Sequence, residues 1–369
     1  MRSRPGAGRA RQVIAVLPGD FVGPEVVDAA LEALEALKGP FGLNLEVRRW
    51  PFGGGAYEEH GDAFPEVTRA AVNEADAVLL GSVGGPVGDH PWNHLPREQR
   101  IETAILNLRR LLGVFANLRP VKVFPGLESL SPLRSERAAG TDMVIFRELT
   151  GGIYFGRPSH NLPDEGLSTM VYSRHEVERI ARLAFETARG RRNRVTNVDK
   201  ANVLDVSQFW RDVVVDLHAR EFPDVELNHL YVDNAAMQVV RDPKAFDVLV
   251  MGNLFGDILS DLAGVIPGSL GVLPSASLGG SVGLYEPVHG SAPDIAGKGL
   301  ANPTGTMLSV AMMLRHSLDA PEAAAVLEDA VQTALAQDPT RDLGGTRDTN
   351  AFTASVVDAI ERRTHLVDR

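Results

Sequence analysis

Short apolar runs alternate with segments of helical period through almost the whole chain, and that alternation leaves few architectures open. VIAVLPGD reads as a buried strand running into a loop, and GPEVVDAALEALEAL as the helix after it, with Pro24 tolerated in the first turn. LNLEVRRW, DAVLLGSVGG, VFANLRPVKVF, DMVIFREL, RVTNVDKANV, LNHLYVD and FDVLVMGN are further strand candidates. Helical patterns fall over 98–112, 173–189, 207–220, 233–241, 255–265, 301–316, 321–337 and 350–363. Apolar strands spaced by helices predict an α/β protein with a mixed, largely parallel sheet covered by helices. No G-x-G-x-x-G follows the first strand and no G-x-x-x-x-G-K-[ST] occurs, so neither a Rossmann fold nor a P-loop is expected.

A length of 369 residues suggests two domains or one large one. The texture changes near 115, where paired strands with GG and FG turns begin (LTGGIYFG), and again near 267, where Pro267, Gly268, Gly271 and Pro274 open a Gly- and Ser-rich stretch. These shifts predict one domain built from both ends, 1–114 with 268–369, and a central domain over 115–267. The net charge of −11, with no basic block after the first few residues, argues against nucleic acid or an anionic membrane as partner. The absence of cysteine excludes disulfides and thiolate metal sites and fits a reducing cytoplasm. No apolar run approaches the length of a membrane span. The start, MRSRPGAGRARQ, is basic and lacks an apolar stretch, so it reads as a loose tail rather than a secretory signal.

Three segments carry chemistry-bearing residues. In VMGNLFGDILSDLAG, a helix would stack Asp257 and Asp261 one turn apart. Like charges at that spacing repel by a few tenths of a kcal/mol, roughly, so the pair is either a solvated polar face or a site for a hard cation such as Mg²⁺ or Mn²⁺. In IETAILNLRRLLGVFANLRPVKVFPG, Ile101, Ile105, Leu108, Leu111 and Leu112 mark an apolar helix face, with Arg109 and Arg110 near its end and Arg119 beyond. Such arginines could simply complement the helix dipole; with Arg147 of DMVIFRELTGG they could instead form a fork-shaped trap for a small polycarboxylate. The third, LYEPVHGSAPDIAGKGLANPTG over 284–305, reads as a long functional loop carrying Glu286, His289, Asp294, Lys298 and Asn302.

From Val13 onward the chain resembles the isocitrate/isopropylmalate dehydrogenase family of β-decarboxylating dehydrogenases. The likeness rests on LPGDFVGPEV, LLGVFANLRPVKVFPGLESLSPL, FRELTGGIYFG, VTNVDKANVL, LYVDNAAMQ, GNLFGDILSDL, GSLGVLPSASLG and EPVHGSAPDIAGKGLANP. It implies a two-domain fold of that family, oxidation of a 2-hydroxy acid by NAD, loss of the β-carboxylate, and a homodimer with shared active sites. By resemblance Asp257 and Asp261 of one subunit and Asp233 of the other hold Mg²⁺ or Mn²⁺. Arg109, Arg119 and Arg147 bind substrate carboxylates, Lys200 accepts the hydroxyl proton, and Tyr154 returns a proton to carbon. As a base, Lys200 would need its pKa lowered by burial or neighbouring arginines. The cofactor would lie on Glu286, His289, Gly290, Ser291, Ala292, Pro293, Asp294, Ile295 and Asn302. Asp294 can accept from ribose hydroxyls while repelling a 2′-phosphate, which with Ile295 points to NAD.

The substrate expected within the family is 3-isopropylmalate, in leucine biosynthesis. Isocitrate enzymes place Ser and Asn before the first substrate arginine, whereas Ala104, Ile105 and Leu106 stand here, and an apolar wall including Val203 fits an isopropyl group. Homoisocitrate, isocitrate, tartrate and D-malate are the rival substrates. A non-catalytic regulatory subunit would have lost active-site residues, and Tyr154, Lys200 and the three aspartates are all present. One departure stands in LPGDFVGPEV, where Phe21 occupies a position usually glycine in the family; a left-handed turn there would strain it.

Overall fold

The computed structural model describes residues 10–86, 91–96 and 99–367; of the tail read over 1–12, residues 1–9 lie outside the described residues, while Arg11 pairs with Glu46 and Gln12 already belongs to the first strand. The chain opens with β1 (Gln12–Gly19), whose Ile14–Leu17 core is fully buried, and α1 (Gly23–Phe41), which stops at Gly42 in the left-handed region. There follow β2 (Leu45–Arg49), α2 (Gly54–His60), α3 (Glu66–Glu74), β3 (Ala77–Ser82) and α4 (Ile101–Leu112). Next come β4 (Ala116–Lys122), α5 (Ser135–Ala138), β5 (Asp142–Glu148), the hairpin β6 (Ser159–Asn161) and β7 (Gly166–Ser168), and α6 (Arg174–Arg189). After them lie β8 (Arg194–Asp199), α7 (Asp205–Glu221), β9 (Glu226–Tyr231), α8 (Val232–Arg241), β10 (Val248–Met251) and α9 (Asn253–Gly264). The chain ends with β11 (Pro274–Leu278), β12 (Gly283–Pro287), α10 (Thr304–His316), α11 (Pro321–Gln337) and α12 (Thr349–Val367).

These elements divide into two units. Unit 1 ends at Gly113 and resumes at Leu270; unit 2 is continuous over Val114–Ser269. In unit 1 the strands run in the order β2-β1-β3-β12-β11. All neighbours are parallel except β11, which meets β12 antiparallel with Ala276 opposite Tyr285. In unit 2 the order is β4-β5-β10-β8-β9, again parallel apart from the first pair, in which Asn117 faces Arg147. Both sheets are thus mixed and largely parallel, and their buried strands read as unbroken apolar runs because helices cover both faces. Met143, Ile145, Val198, Leu249, Met251, Leu259 and Ala263 form one cluster that packs α9 onto the unit 2 sheet. Among the described residues no helix is long and apolar enough to cross a membrane.

Several elements depart from the sequence reading. The segment 284–305 is not a loop from its start: LYEP belongs to β12, where Tyr285 is fully buried between β3 and β11. β11 was hidden in the same Gly- and Ser-rich texture, because Ser275 and Ser277 face a packed interior in which the Ser275 hydroxyl donates to the Glu286 carbonyl. α2, in GGAYEEH, has no apolar stripe; its Gly54 leaves no room for a Cβ, which would come within 2.1 Å of the Trp92 ring. α3 is likewise an element that its short pattern did not reveal. On α4 the buried stripe is Ile101, Ala104, Leu108 and Leu112; Leu111 is exposed and Ile105 only half-buried.

Candidate functional site

Unit 2 assembles one charged cluster around α9. Asp257 and Asp261 occupy successive turns, and each meets an arginine from the sheet. Arg147 of β5, almost fully buried, donates through Nη1 to Asp257 Oδ1. Arg119 of β4 donates through Nη1 to Asp261 Oδ1 at 2.6 Å and to Ser260 Oγ at 2.7 Å, while its Nε reaches Asn117 Oδ1 at 2.9 Å. Within one chain, therefore, the cations that relieve the repelling aspartates are arginines.

Tyr154 closes the 3-10 turn Gly152–Tyr154 and donates its hydroxyl to Asp257 Oδ2 at 2.8 Å. Partial burial, and then the Asp257 carboxylate, push the phenol above its usual pKa, so it stays protonated at neutral pH. Asp257 is consequently held from both sides, by a guanidinium on one oxygen and a phenol on the other. Gly152 adopts φ +75, and a Cβ there would come within 2.2 Å of the Tyr172 hydroxyl. A glycine is therefore required for the turn to seat against Tyr172.

Lys200 and Asp233 form a separate pair, with Nζ 3.0 Å from Asp233 Oδ2. The ammonium holds the Asp233 carboxyl below the usual carboxylate range. The Lys200 side chain is largely buried; besides the Asp233 carboxylate, its Nζ lies 6.0 Å from the centre of the Tyr231 ring, on which the Arg211 guanidinium stacks at 5.0 Å. Val203, on the turn after Lys200, is 68% exposed. Among the described residues no group of three or more His, Asp or Glu side chains is arranged to hold a metal ion, so the three aspartates do not meet in a single chain.

Unit 1 carries the remaining candidates. Arg109, in the last turn of α4, donates to Glu286 Oε1 of β12 at 2.7 Å, and its Nε is buried without a partner. Ile105 and Leu106 are half-buried on the same helix. The segment after β12 is anchored to the start of the fold. Val22 donates its backbone N–H to the Ser291 carbonyl, and Ala292 and Ile295 pack against Val22, Val26 and Ala301. Glu25 accepts from the Ala301 N–H and the Thr349 hydroxyl. The Asn302 amide donates to Asp342 Oδ2 at 3.0 Å, and its oxygen accepts the Thr304 N–H that opens α10. Ala292 sits at φ +40, Pro293 is half-buried, and Gly290 and Asp294 are exposed.

His289 bonds the Gly290 carbonyl through Nδ1, while its Nε2 is out of reach of water and has no partner. Burial lowers its pKa, which leaves the ring neutral. An orphaned buried ring nitrogen, on the same segment as the exposed carboxylate of Asp294, fits a segment built to receive a polar ligand.

The structure also answers the question raised by Phe21. The residue does lie at φ +53, a conformation that costs a non-glycine residue roughly 1 kcal/mol or more. The turn is held by its flanking bonds, Asp20 N–H to the Ser82 carbonyl and Val22 N–H to Ser291. The ring of Phe21 lies 6.1 Å from that of Trp92. Beside it, the buried Asp20 carboxylate accepts the N–H groups of Gly54, Gly55 and Gly84.

Sequence reasoning passed over the residues that hold these groups in place. Asn253 accepts both Nε and Nη2 of Arg147 on one oxygen, and Tyr172 accepts the Asn253 N–H at 2.7 Å. The signal for Asn253 was its place in the motif GNLFGDILSDL.

A model of the family "Isocitrate/isopropylmalate dehydrogenase" matches residues 13–360. The chain is 54% identical over 347 residues to a 3-isopropylmalate dehydrogenase of Deinococcus radiodurans, covering 94% of this chain and 97% of that one. It is 52% identical over 360 residues to one from Bordetella avium, covering 95% and 98%. Among solved structures it is similar to an isocitrate dehydrogenase from Methylococcus capsulatus, with TM-score 0.81, 35% identity and coverage of 95% and 99%. A β-decarboxylating dehydrogenase from Thermococcus kodakarensis in its apo form gives TM-score 0.80 at 35% identity, with coverage of 97% and 98%.

Proposed function

We propose that this chain, which belongs to the isocitrate/isopropylmalate dehydrogenase family, oxidises 3-isopropylmalate with NAD⁺ and removes the carboxylate β to the new ketone. The product would be 4-methyl-2-oxopentanoate, in leucine biosynthesis. Relatives named for this activity at more than half identity over nearly the whole chain support the substrate. The observation that carries the chemistry is Asp257, bracketed by the buried Arg147 and the protonated Tyr154.

Arg109, Arg119 and Arg147 would pair with substrate carboxylates, each leaving the carboxylate it now holds, and guanidinium forks suit such a ligand. Arg109 arrives with its buried Nε unspent. Lys200 of the partner subunit, parted from its own Asp233 and as the neutral amine after giving up a proton to solvent, would take the hydroxyl proton, and Tyr154, already protonated, would deliver a proton to the carbon that loses CO₂. Asp257, Asp261 and Asp233 of the partner subunit offer only oxygen donors, a set that suits Mg²⁺ or Mn²⁺, which when bound lowers the hydroxyl pKa and offsets negative charge on that oxygen.

The chemistry that NAD⁺ supplies when bound is acceptance of the hydride. For its binding the chain offers His289, the backbone from Gly290 to Pro293, Ile295 and Asn302, with Asp294 exposed to accept from ribose hydroxyls. The half-buried Ile105 and Leu106 would meet the isopropyl group. A homodimer is supported by apolar side chains left in water on α8 and α9 and just past the end of α9: Met237, Val240, Ile258 and Val265. The cysteine-free sequence fits a reducing cytoplasm.

NADH formation with 3-isopropylmalate, NAD⁺ and Mg²⁺ tests the reading. Turnover with isocitrate, homoisocitrate or tartrate in preference to it would overturn the substrate, and undiminished turnover in excess chelator would overturn the metal.

A further inference from the structure

We propose that Asn253 is a positioning residue that aligns the substrate-binding arginine and the proton-donating tyrosine through one side chain; the inference rests on the function proposed above. Asn253 opens α9 and is 1% exposed. Its Oδ1 accepts from Arg147 Nε at 3.1 Å and from Nη2 at 2.9 Å, which fixes the plane of the guanidinium. Its Nδ2 donates to the Gly151 carbonyl at 3.2 Å, the residue from which the Tyr154 turn departs. Its backbone N–H donates to the Tyr172 hydroxyl. Tyr172 thereby supplies the capping acceptor that Gly252, without a side chain, cannot.

Glu148 secures the same entry to the Tyr154 turn: it accepts the N–H groups of Thr150 and Gly151, and the Arg179 guanidinium holds it in turn. The amide of Asn253 suits the double task because one end accepts and the other donates. A carboxylate would keep the first bond and lose the second, and an aliphatic side chain would lose both. The two halves therefore separate in kinetics, substrate capture through Arg147 and protonation through the Tyr154 turn.

Wild type is first shown to turn over 3-isopropylmalate; failure there overturns the function and leaves the alignment of Arg147 to be read from binding. Asn253→Leu should raise KM for 3-isopropylmalate roughly ten- to hundredfold, the range for losing hydrogen bonds to a charged group, with KM for NAD⁺ within about threefold of wild type. Asn253→Asp should recover most of that KM while kcat stays low, because the Gly151 bond remains broken. Both Michaelis constants unchanged in Asn253→Leu would overturn the proposal, as would a parallel rise in both. Should Asn253→Leu fail to fold, Asn253→Asp decides alone: lowered kcat with a largely kept KM supports the proposal, and an unchanged kcat overturns it. Calorimetric titration of 3-isopropylmalate into the Mn²⁺-loaded proteins gives the same affinity order without turnover, and equal affinity in wild type and Asn253→Leu refutes the Arg147 half.

Discussion

Gly256→Ala is the sharpest test of how α9 and β5 share the space around Arg147. A Cβ at Gly256 would stand 2.6 Å from Arg147 Cγ, 2.7 Å from its Cβ and 3.1 Å from its Cα. Ordinary carbon contacts lie near 3.5–4.0 Å, so the arginine stem must retreat by about 1 Å. Replacing a helical glycine with alanine would by itself stabilise by about 1 kcal/mol, whereas overpacking a tight contact costs about 1–3 kcal/mol. Unfolding free energy should therefore fall by about 0–2 kcal/mol, a modest loss. The larger effect should be catalytic. A retreat of that size draws the guanidinium off Asn253 and Asp257, and misplacement by about 1 Å can cost on the order of a hundredfold in rate. Urea unfolding measures the first quantity, and steady-state kinetics with 3-isopropylmalate and NAD⁺ varied separately measure the second. A gain of about 1 kcal/mol in stability with an unaltered kcat/KM would show that the arginine stem does not press on the helix, and would refute the reasoning.

Two further perturbations bear on the assigned roles. Lys200→Met should abolish oxidation, whereas Tyr154→Phe should let oxidation proceed and slow proton delivery; supplying the ketone intermediate directly separates them, and identical defects at every step would remove the assignment. Ile105→Ala should lower kcat/KM for 3-isopropylmalate by roughly ten- to a hundredfold while leaving malate nearly unchanged, as an apolar pocket discriminates by about 1–3 kcal/mol per methylene. A melting curve beside the two ratios distinguishes this from lost packing, in which both substrates would suffer alike.

The alternation of apolar runs and helical segments was enough to read the α/β class, because buried parallel strands carry unbroken apolar stretches that survive any detail of topology. β11 and β12 escaped for the opposite reason. Their polar side chains find partners in the fold, Ser275 on the Glu286 carbonyl, Glu286 on Arg109 of α4 and Tyr285 on Ser317 after α10, so PSASL and GLYEP look like loop. On α4 the expected stripe was displaced because the small Ala104, rather than Leu111, turns inward. In the site, the chemical side chains announced themselves by type and motif. What surrounds them did not: that Asp257 is gripped by Arg147 from β5, or that Asn253 reaches both Arg147 and Gly151, depends on contacts more than a hundred positions apart. The Phe21 turn lies between these cases, since a bulky residue where glycine is usual signals strain, but only the backbone shows that φ is positive.

The place of β12 in unit 1 also bears on how the protein is made. β3 lies beside β12 in that sheet, yet the whole of unit 2 is encoded between them. A growing chain can therefore bury the continuous span Val114–Ser269 as soon as it is clear of the ribosome. The amino-terminal strands must wait, with one flank of β3 unpaired, until Gly283–Pro287 has been synthesised. An unpaired strand flank invites mispairing, so during translation the oldest part of the chain is the last to be protected.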